Sequence, residues 1–248
     1  MAARDNSERV LLLFDIDGTL LVGASQAHAQ AVHRALTDVY DVEHPAAARV
    51  QAAGRTDMEI ARAILLRSGV SADRIDAHAD DFRDACCEEY ARLCPGSLAD
   101  CLVPGMAQLL EVLDHAPGAI LALVTGNLEP VARLKLARAG IGHRFPTGQG
   151  AFGSDSEDRT ELPAIARARA GVNGSPHPRE RTLVIGDTPR DIACARADGV
   201  RCIAVTTGPY PASELTGADA VAGSVAELGA LLARALERDA AASGGADS

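Results

Sequence analysis

The sequence predicts an α/β protein built on a doubly wound parallel sheet, with a helical unit inserted after the first strand. Three observations carry that prediction. Apolar runs at 10–14, 119–124 and 182–185 are unbroken, as in strands covered on both faces, rather than alternating as in half-exposed ones. From about residue 102 onward such runs alternate with helical patterns, the order of a parallel sheet with crossover helices. Residues 22–101 instead carry apolar residues at helical spacing and no convincing strand.

The first run, Val10-Leu-Leu-Leu-Phe14, stops on Asp15-Ile-Asp17-Gly18-Thr19. It reads as a buried strand that delivers two acids to its carboxyl end, where ligand sites form in an open parallel sheet. Two neighbouring carboxylates in a glycine-containing turn repel unless a cation is present. The pattern asks for a hard divalent ion, with Mg²⁺ the expected one. Residues 25 to about 98 read as about four helices, with apolar positions such as Val32 and Leu36, Ile60 and Ile64, and Phe82 and Tyr90. Gly54-Arg55-Thr56-Asp57 punctuates them, and Thr56 or Asp57 is the expected N-cap of a helix over 58–67. Pro95-Gly96 and Pro104-Gly105 mark the return to the sheet.

Helix 105–115 and strand 119–124 follow, and the strand runs into Thr125-Gly126-Asn127. Helix 129–139 stops at Gly140. A weak strand near 144–149 and a helix over 159–170 are expected next. Strand 182–186 enters Asp187-Thr-Pro-Arg-Asp191, and helix 189–198 opens on Pro189 and closes at Gly199. Strand 201–205, a short strand near 219–222 and helix 224–237 complete the order. The expected partition is a core of 1–21 with 102–239, a helical unit of 22–101, and a disordered tail of 240–248 rich in Ala, Gly and Ser.

Composition narrows the function classes. The 248 residues are 47% hydrophobic but only 3% aromatic, without Trp, so the core is expected to be Ala, Leu and Val. A formal net charge of −10 argues against nucleic acid or an acidic membrane as partner. No apolar stretch approaches the roughly 20 residues of a membrane span, and nothing at the N-terminus reads as a signal peptide. Six cysteines without Cys-x-x-Cys spacing suit a reducing cytoplasm. Of 24 basic residues Lys135 is the single lysine, which points either to a solvated survivor or to a place that needs a compact ammonium.

Together, Asp15-Ile-Asp-Gly-Thr19, Thr125-Gly-Asn127 and Gly186-Asp-Thr-Pro-Arg-Asp191 resemble the haloacid dehalogenase superfamily, in that family's order. The insert's position is similar to that of its helical-cap phosphatases, in the phosphoglycolate phosphatase-like and beta-phosphoglucomutase-like subgroup. The resemblance implies a Rossmann-like core and Mg²⁺-dependent hydrolysis of a small phosphorylated metabolite through an aspartyl phosphate. It implies Asp15 as nucleophile and Asp17 as general acid, then general base. It implies Asp15, Asp187 and the Asp17 main-chain carbonyl on the metal, with Asp191 orienting the metal's water shell or a catalytic cation. Thr125, with Gly18, Gly126 and Asn127, would hold the phosphoryl group.

The family's third motif is a cation in a Lys-Pro-x-Pro stretch, which this chain lacks. Arg159, opening the next helix, and Lys135, two turns into the preceding one, are the two candidates. Arg55 would either grip a second anionic group or pair within the helices. His28 is the one histidine whose position draws attention. The alternatives are a phosphosugar mutase, which shares both acids, and a non-catalytic phospho-acceptor or binding protein. A carbon–halogen hydrolase is disfavoured by Asp17. A phosphonate hydrolase is disfavoured by Asp17 and by the absence of lysine from the cap. The expected state is a monomer or homodimer.

Overall fold

The computed structural model describes residues 6–244. Strand β1 (Val10–Phe14) is buried at all five positions, and its side chains alternate between two cores. Val10, Leu12 and Phe14 face one side, and Leu11 and Leu13 face the other. That two-sided burial is why the run is continuously apolar. Four helices follow: α1 (Ser25–Tyr40), α2 (Asp57–Arg67), α3 (Ala72–Ala77) and α4 (Ala79–Leu93). Their core holds Tyr40, Phe82 and Tyr90, together with Leu128 and Val131 from beyond the next strand. Much of the chain's small stock of aromatic volume is thus spent here.

The chain then alternates. Helix α5 (Met106–Asp114), strand β2 (Ala119–Thr125), helix α6 (Glu129–Arg138), strand β3 (Ala151–Phe152) and helix α7 (Leu162–Ala170) come first. Strand β4 (Thr182–Gly186), helix α8 (Pro189–Asp198), strand β5 (Arg201–Val205), strand β6 (Ala220–Ala222) and helix α9 (Val225–Gly244) follow. The six strands form one sheet in the order β3-β2-β1-β4-β5-β6, and every pairing is parallel. Chain direction across the sheet reverses at β1, between β2 and β4, where a doubly wound sheet opens a crevice beyond its carboxyl ends. The register pairs Phe14 with Leu123 and with Ile185, so the loops after β1, β2 and β4 leave the sheet together.

Three expectations are corrected. No strand lies over 144–149. A 3₁₀ turn ends at Arg144, and Gly148 and Gly150 take φ of 77° and 85°, left-handed backbone that a strand does not use. The strand is the two-residue β3. The helix expected from 159 opens as a 3₁₀ turn, Arg159–Glu161, before α7 begins at Leu162. The tail expected to be disordered from 240 continues α9 as far as Gly244, as its run of alanines permits. Residues 245–248, like residues 1–5 of the expected core, lie outside the described residues. No helix among the described residues is long and apolar enough to cross a membrane. All six cysteines are free thiols.

Candidate active site

The three acid-bearing loops converge beyond the carboxyl ends of β1, β2 and β4. Asp15, Asp187 and Asp191 are buried, and each offers a carboxylate oxygen within 4.8 Å of the others. Backbone shape makes this crowding possible. Gly18 has φ 89°, and a Cβ there would lie 2.2 Å from Asp187 Oδ2. A Cβ on Gly208, after β5, would come within 1.7 Å of the same oxygen, and one on Gly186 within 2.2 Å of Asp191 Cγ. Three glycines thus cradle two of the carboxylates. Thr19 Oγ1 donates to Asp187 Oδ1 at 3.0 Å, and Thr207 Oγ1 donates to the Gly18 carbonyl at 2.5 Å.

The cluster is electrostatically unsatisfied as it stands. Burial, then the Asp15 and Asp191 charges, push the Asp187 carboxyl up to about 8. Burial likewise raises Asp15 to about 6, against the pull of Arg159. Buried carboxylates that repel each other are a donor set for a hard cation, so these three residues fit a metal ion. The Asp17 side chain is not in this cluster.

Arg159 and Lys135, the two candidates for the cation, are both at the site and serve different acids. Arg159 lies at the start of the 3₁₀ turn before α7. One of its terminal nitrogens sits 3.2 Å from Asp15 Oδ1 and 2.5 Å from Asp191 Oδ1. Asp191 also closes a capping box with Thr188 at the start of α8, which fixes its rotamer. Lys135, on α6, is 0% exposed. Its Nζ lies 2.6 Å from Asp17 Oδ2 and 3.2 Å from His28 Nδ1. The lysine stem thus reaches from α6 to the loop after β1.

Asp17 Oδ2 accepts a second bond, from Asn127 Nδ2 at 3.0 Å. Burial, the largest single influence, would raise the Asp17 carboxyl, but the Lys135 ammonium, His28 and the two hydrogen bonds together hold it below the usual carboxylate range. Both bonds fall on Oδ2, so Oδ1 is left without a protein partner. Thr125 is buried at the end of β2, and its Oγ1 accepts from the Asn127 amide at 3.4 Å. Arg159 Nε and Asn127 Oδ1 are buried without a hydrogen-bond partner. Such orphaned polar atoms mark a place where a polar ligand docks.

The helices reach the site through the start of α2. Thr56 is the N-cap, accepting from the Glu59 amide at 3.1 Å, and its hydroxyl donates to the Glu157 carbonyl at 2.8 Å. Asp57 is the first helical residue. Its amide donates to the Gly126 carbonyl at 2.8 Å. Its carboxylate accepts from the Leu128 amide at 2.8 Å and lies 3.1 Å from His28 Nε2. A buried line therefore runs Asp17–Lys135–His28–Asp57. Gly126 leaves room for this docking, since a Cβ there would lie 2.1 Å from the Arg55 carbonyl oxygen.

Arg55 is engaged within the helices, with its guanidinium on the Glu59 carboxylate. The pair joins the residue before the α2 cap to the first turn of α2. A cavity of about 650 Å³ opens from Asp15, Asp17 and Asp187 toward α1 and α2, and Arg55 lines it. Thr19 was visible in the sequence only as the end of the Asp15–Thr19 motif, and Thr207 and Gly208 carried no signal there. Asp57 was visible as a helix-start acid, and its inward turn is a tertiary fact.

A family model described as haloacid dehalogenase-like hydrolase matches residues 12–196. The chain is 31% identical to the phosphoglycolate phosphatase of Rhodospirillum rubrum over 223 residues, 88% of each chain. It is 26% identical to a Dickeya dadantii protein called "Probable phosphatase IndB" over 212 residues, 84% of this chain and 86% of that one. Among solved structures, CbbY from Rhodobacter sphaeroides in complex with phosphate superposes with a TM-score of 0.63 at 23% identity. That match covers 89% of this chain and 96% of the other. It is a likeness of fold.

Proposed function

Because the chain belongs to the haloacid dehalogenase-like hydrolase family, we propose that it is a Mg²⁺-dependent phosphatase that cleaves a small-metabolite phosphomonoester through an aspartyl phosphate on Asp15. One observation carries the reading. Asp15 and Asp17 stand two residues apart at one strand end, each held by its own buried cation.

Asp15, Asp187 and Asp191, with the Asp17 carbonyl, would hold Mg²⁺, which when bound neutralises phosphoryl charge and so lets a carboxylate attack. Arg159 binds Oδ1 of Asp15 and so orients the carboxylate for attack on phosphorus. Thr125 and the main-chain N–H at Gly126 would be donors for phosphoryl oxygens, while the Gly18 N–H is engaged by the Leu21 carbonyl. The ester oxygen leaves with a proton from Asp17. In the second half-reaction Asp17 takes a proton from the water that attacks the aspartyl phosphate and regenerates Asp15. Asp17 as found here is the carboxylate, the form this second step needs. A phosphate dianion entering beside it raises its proton affinity, which is what the first step needs.

Phosphoglycolate is the compact substrate expected from the sequence, and the Rhodospirillum rubrum relative bears that name. A phosphosugar mutase would need a second anion site in the helices. Arg55, the residue placed to supply one, is tied to Glu59, which Arg190 shares, and it is the phosphatase names of both relatives that favour hydrolysis. The test is phosphate release from a panel of phosphomonoesters, with Mg²⁺ and with chelator, for the wild type and Asp15→Asn. Mg²⁺-dependent release that Asp15→Asn reduces to background is the expected result. Undiminished release by Asp15→Asn, or isomerisation of a phosphosugar without release, overturns the reading.

A further inference from the structure

The cavity beside the carboxylates is larger than the chemistry requires. Its volume of about 650 Å³ lies within the roughly 300–1,000 Å³ of pockets that enclose drug-sized molecules. The polar groups cluster at one end, where Asp15, Asp17, Asn127, Arg159 and Asp187 line it. The wall toward the helices is of another kind. Val22, Val32, Val50, Ile60 and Ile64 line it. Val32 and Ile64 are buried parts of the helical core, while Val50 and Ile60 are half-buried. Val22 is 46% exposed, one of few large apolar side chains among the described residues left open to this degree.

Of the polar groups on that side, His28 and Asp57 pair with each other, Arg55 shares Glu59 with Arg190, Arg49 is solvent-exposed and His33 is half-buried. A two-carbon acid such as phosphoglycolate would occupy the polar end alone and leave Val22, Val50 and Ile60, the part of the wall not already buried, facing water. The wall gains only when an apolar group displaces that water.

We propose that the physiological substrate is a phosphomonoester of an alcohol with a bulky apolar body, a ring or branched chain of about five or more carbons, seated against Val32, Val50, Ile60 and Ile64. This deepens the phosphatase reading and rests on it. The body confers selectivity through burial, and the phosphoryl end is handled as in any ester of this enzyme.

The test compares cyclohexylmethyl phosphate with ethyl phosphate and phosphoglycolate, all esters of primary alcohols. Cyclohexylmethyl and ethyl phosphate also have leaving groups of like reactivity. Cyclohexylmethyl phosphate is expected to show a kcat/KM about 100-fold above ethyl phosphate, the order given by several methylene groups leaving water. Ile60→Trp and Ala46→Trp fill the cavity from a half-buried and an exposed position. Each is expected to lower kcat/KM for cyclohexylmethyl phosphate at least 10-fold, and Ala46→Trp to leave ethyl phosphate unchanged. The exposed Ala46 site keeps the test valid where Ile60→Trp does not fold. Equal kcat/KM for the two alkyl esters, a clear preference for phosphoglycolate, or equal losses on both alkyl esters in the variants overturns the proposal while phosphatase activity stands. No release from any of the three with Mg²⁺ present overturns the phosphatase reading and this proposal with it.

Discussion

Replacing Asp17 by Asn should destabilise the protein far more than an active-site substitution normally does, and removing Lys135 as well should restore the loss. Lys135 is 0% exposed, and the groups its ammonium meets are Asp17 Oδ2 at 2.6 Å and His28 Nδ1 at 3.2 Å. Asp17→Asn leaves that buried charge without its counter-ion. Breaking a buried pair from one side costs about 3–5 kcal/mol. For a chain of this size each kcal/mol lowers Tm by about 2–4 °C, so the expected fall is about 6–20 °C. Lys135→Met is the milder change. It fills similar volume without charge, and Asp17 keeps its Asn127 bond and 31% of its side-chain surface in water. Its expected cost is about 1 kcal/mol or less, near that of a partly solvated pair.

The double variant should therefore be more stable than Asp17→Asn alone by about 2–4 kcal/mol. Urea unfolding of the four proteins with chelator present measures the cycle. The pH dependence has a defined sign. Burial raises the Asp17 carboxyl, but Lys135 and then His28 bring it below its ordinary value. The pair's contribution is thus complete above the unfolded-state value of about 4 and fades as pH falls through the lower folded-state value. The gap between wild type and Asp17→Asn should narrow toward pH 3. Asp17→Asn unfolding with the wild type at pH 7, or a double variant no more stable than Asp17→Asn, would refute the reasoning.

Mg²⁺ binding at pH 7 should release about one proton, because Asp187 is raised to about 8 and must ionise to become a ligand. Calorimetry in two buffers of different ionisation enthalpy should give different apparent heats at pH 7 and converge near pH 9, and identical heats at pH 7 would count against it. Gly126→Ala forces a Cβ to 2.1 Å from the Arg55 carbonyl oxygen, so it should cost about 1–3 kcal/mol as overpacking does. A urea midpoint equal to wild type would show that the helices do not rest on this loop.

The parts legible in the sequence are those where one physical requirement acts on adjacent residues. A strand buried on both faces must be continuously apolar, so β1, β2 and β4 announced themselves, and each run's abrupt end marked a loop at the same edge of the sheet. The two-residue β3 has no such run, and the glycines before it act through φ values that composition does not reveal. Asp15 and Asp17 were visible as a pair, but not that they part company. Asp15 turns to Arg159 and Asp191, and Asp17 turns to Lys135, a residue 118 positions away. The Arg55–Glu59 pair was not legible as a helix-face pair, since Arg55 precedes the Thr56 cap and lies outside α2.

The separation of the two cations also explains why one lysine stands among so many arginines. Arg159 lies between Asp15 and Asp191, where one terminal nitrogen of an always-charged guanidinium meets both carboxylates. The Lys135 position has no solvent exposure and offers one carboxylate oxygen and one imidazole nitrogen. A guanidinium carries five donor hydrogens there and would bury most of them unmatched. An ammonium on a long stem delivers the same charge with three. His28, fixed on its other side by Asp57, then ties that charge to the start of α2. The helix that lines the cavity's apolar wall and Asp17, the proposed general acid, are thus joined by one chain of contacts.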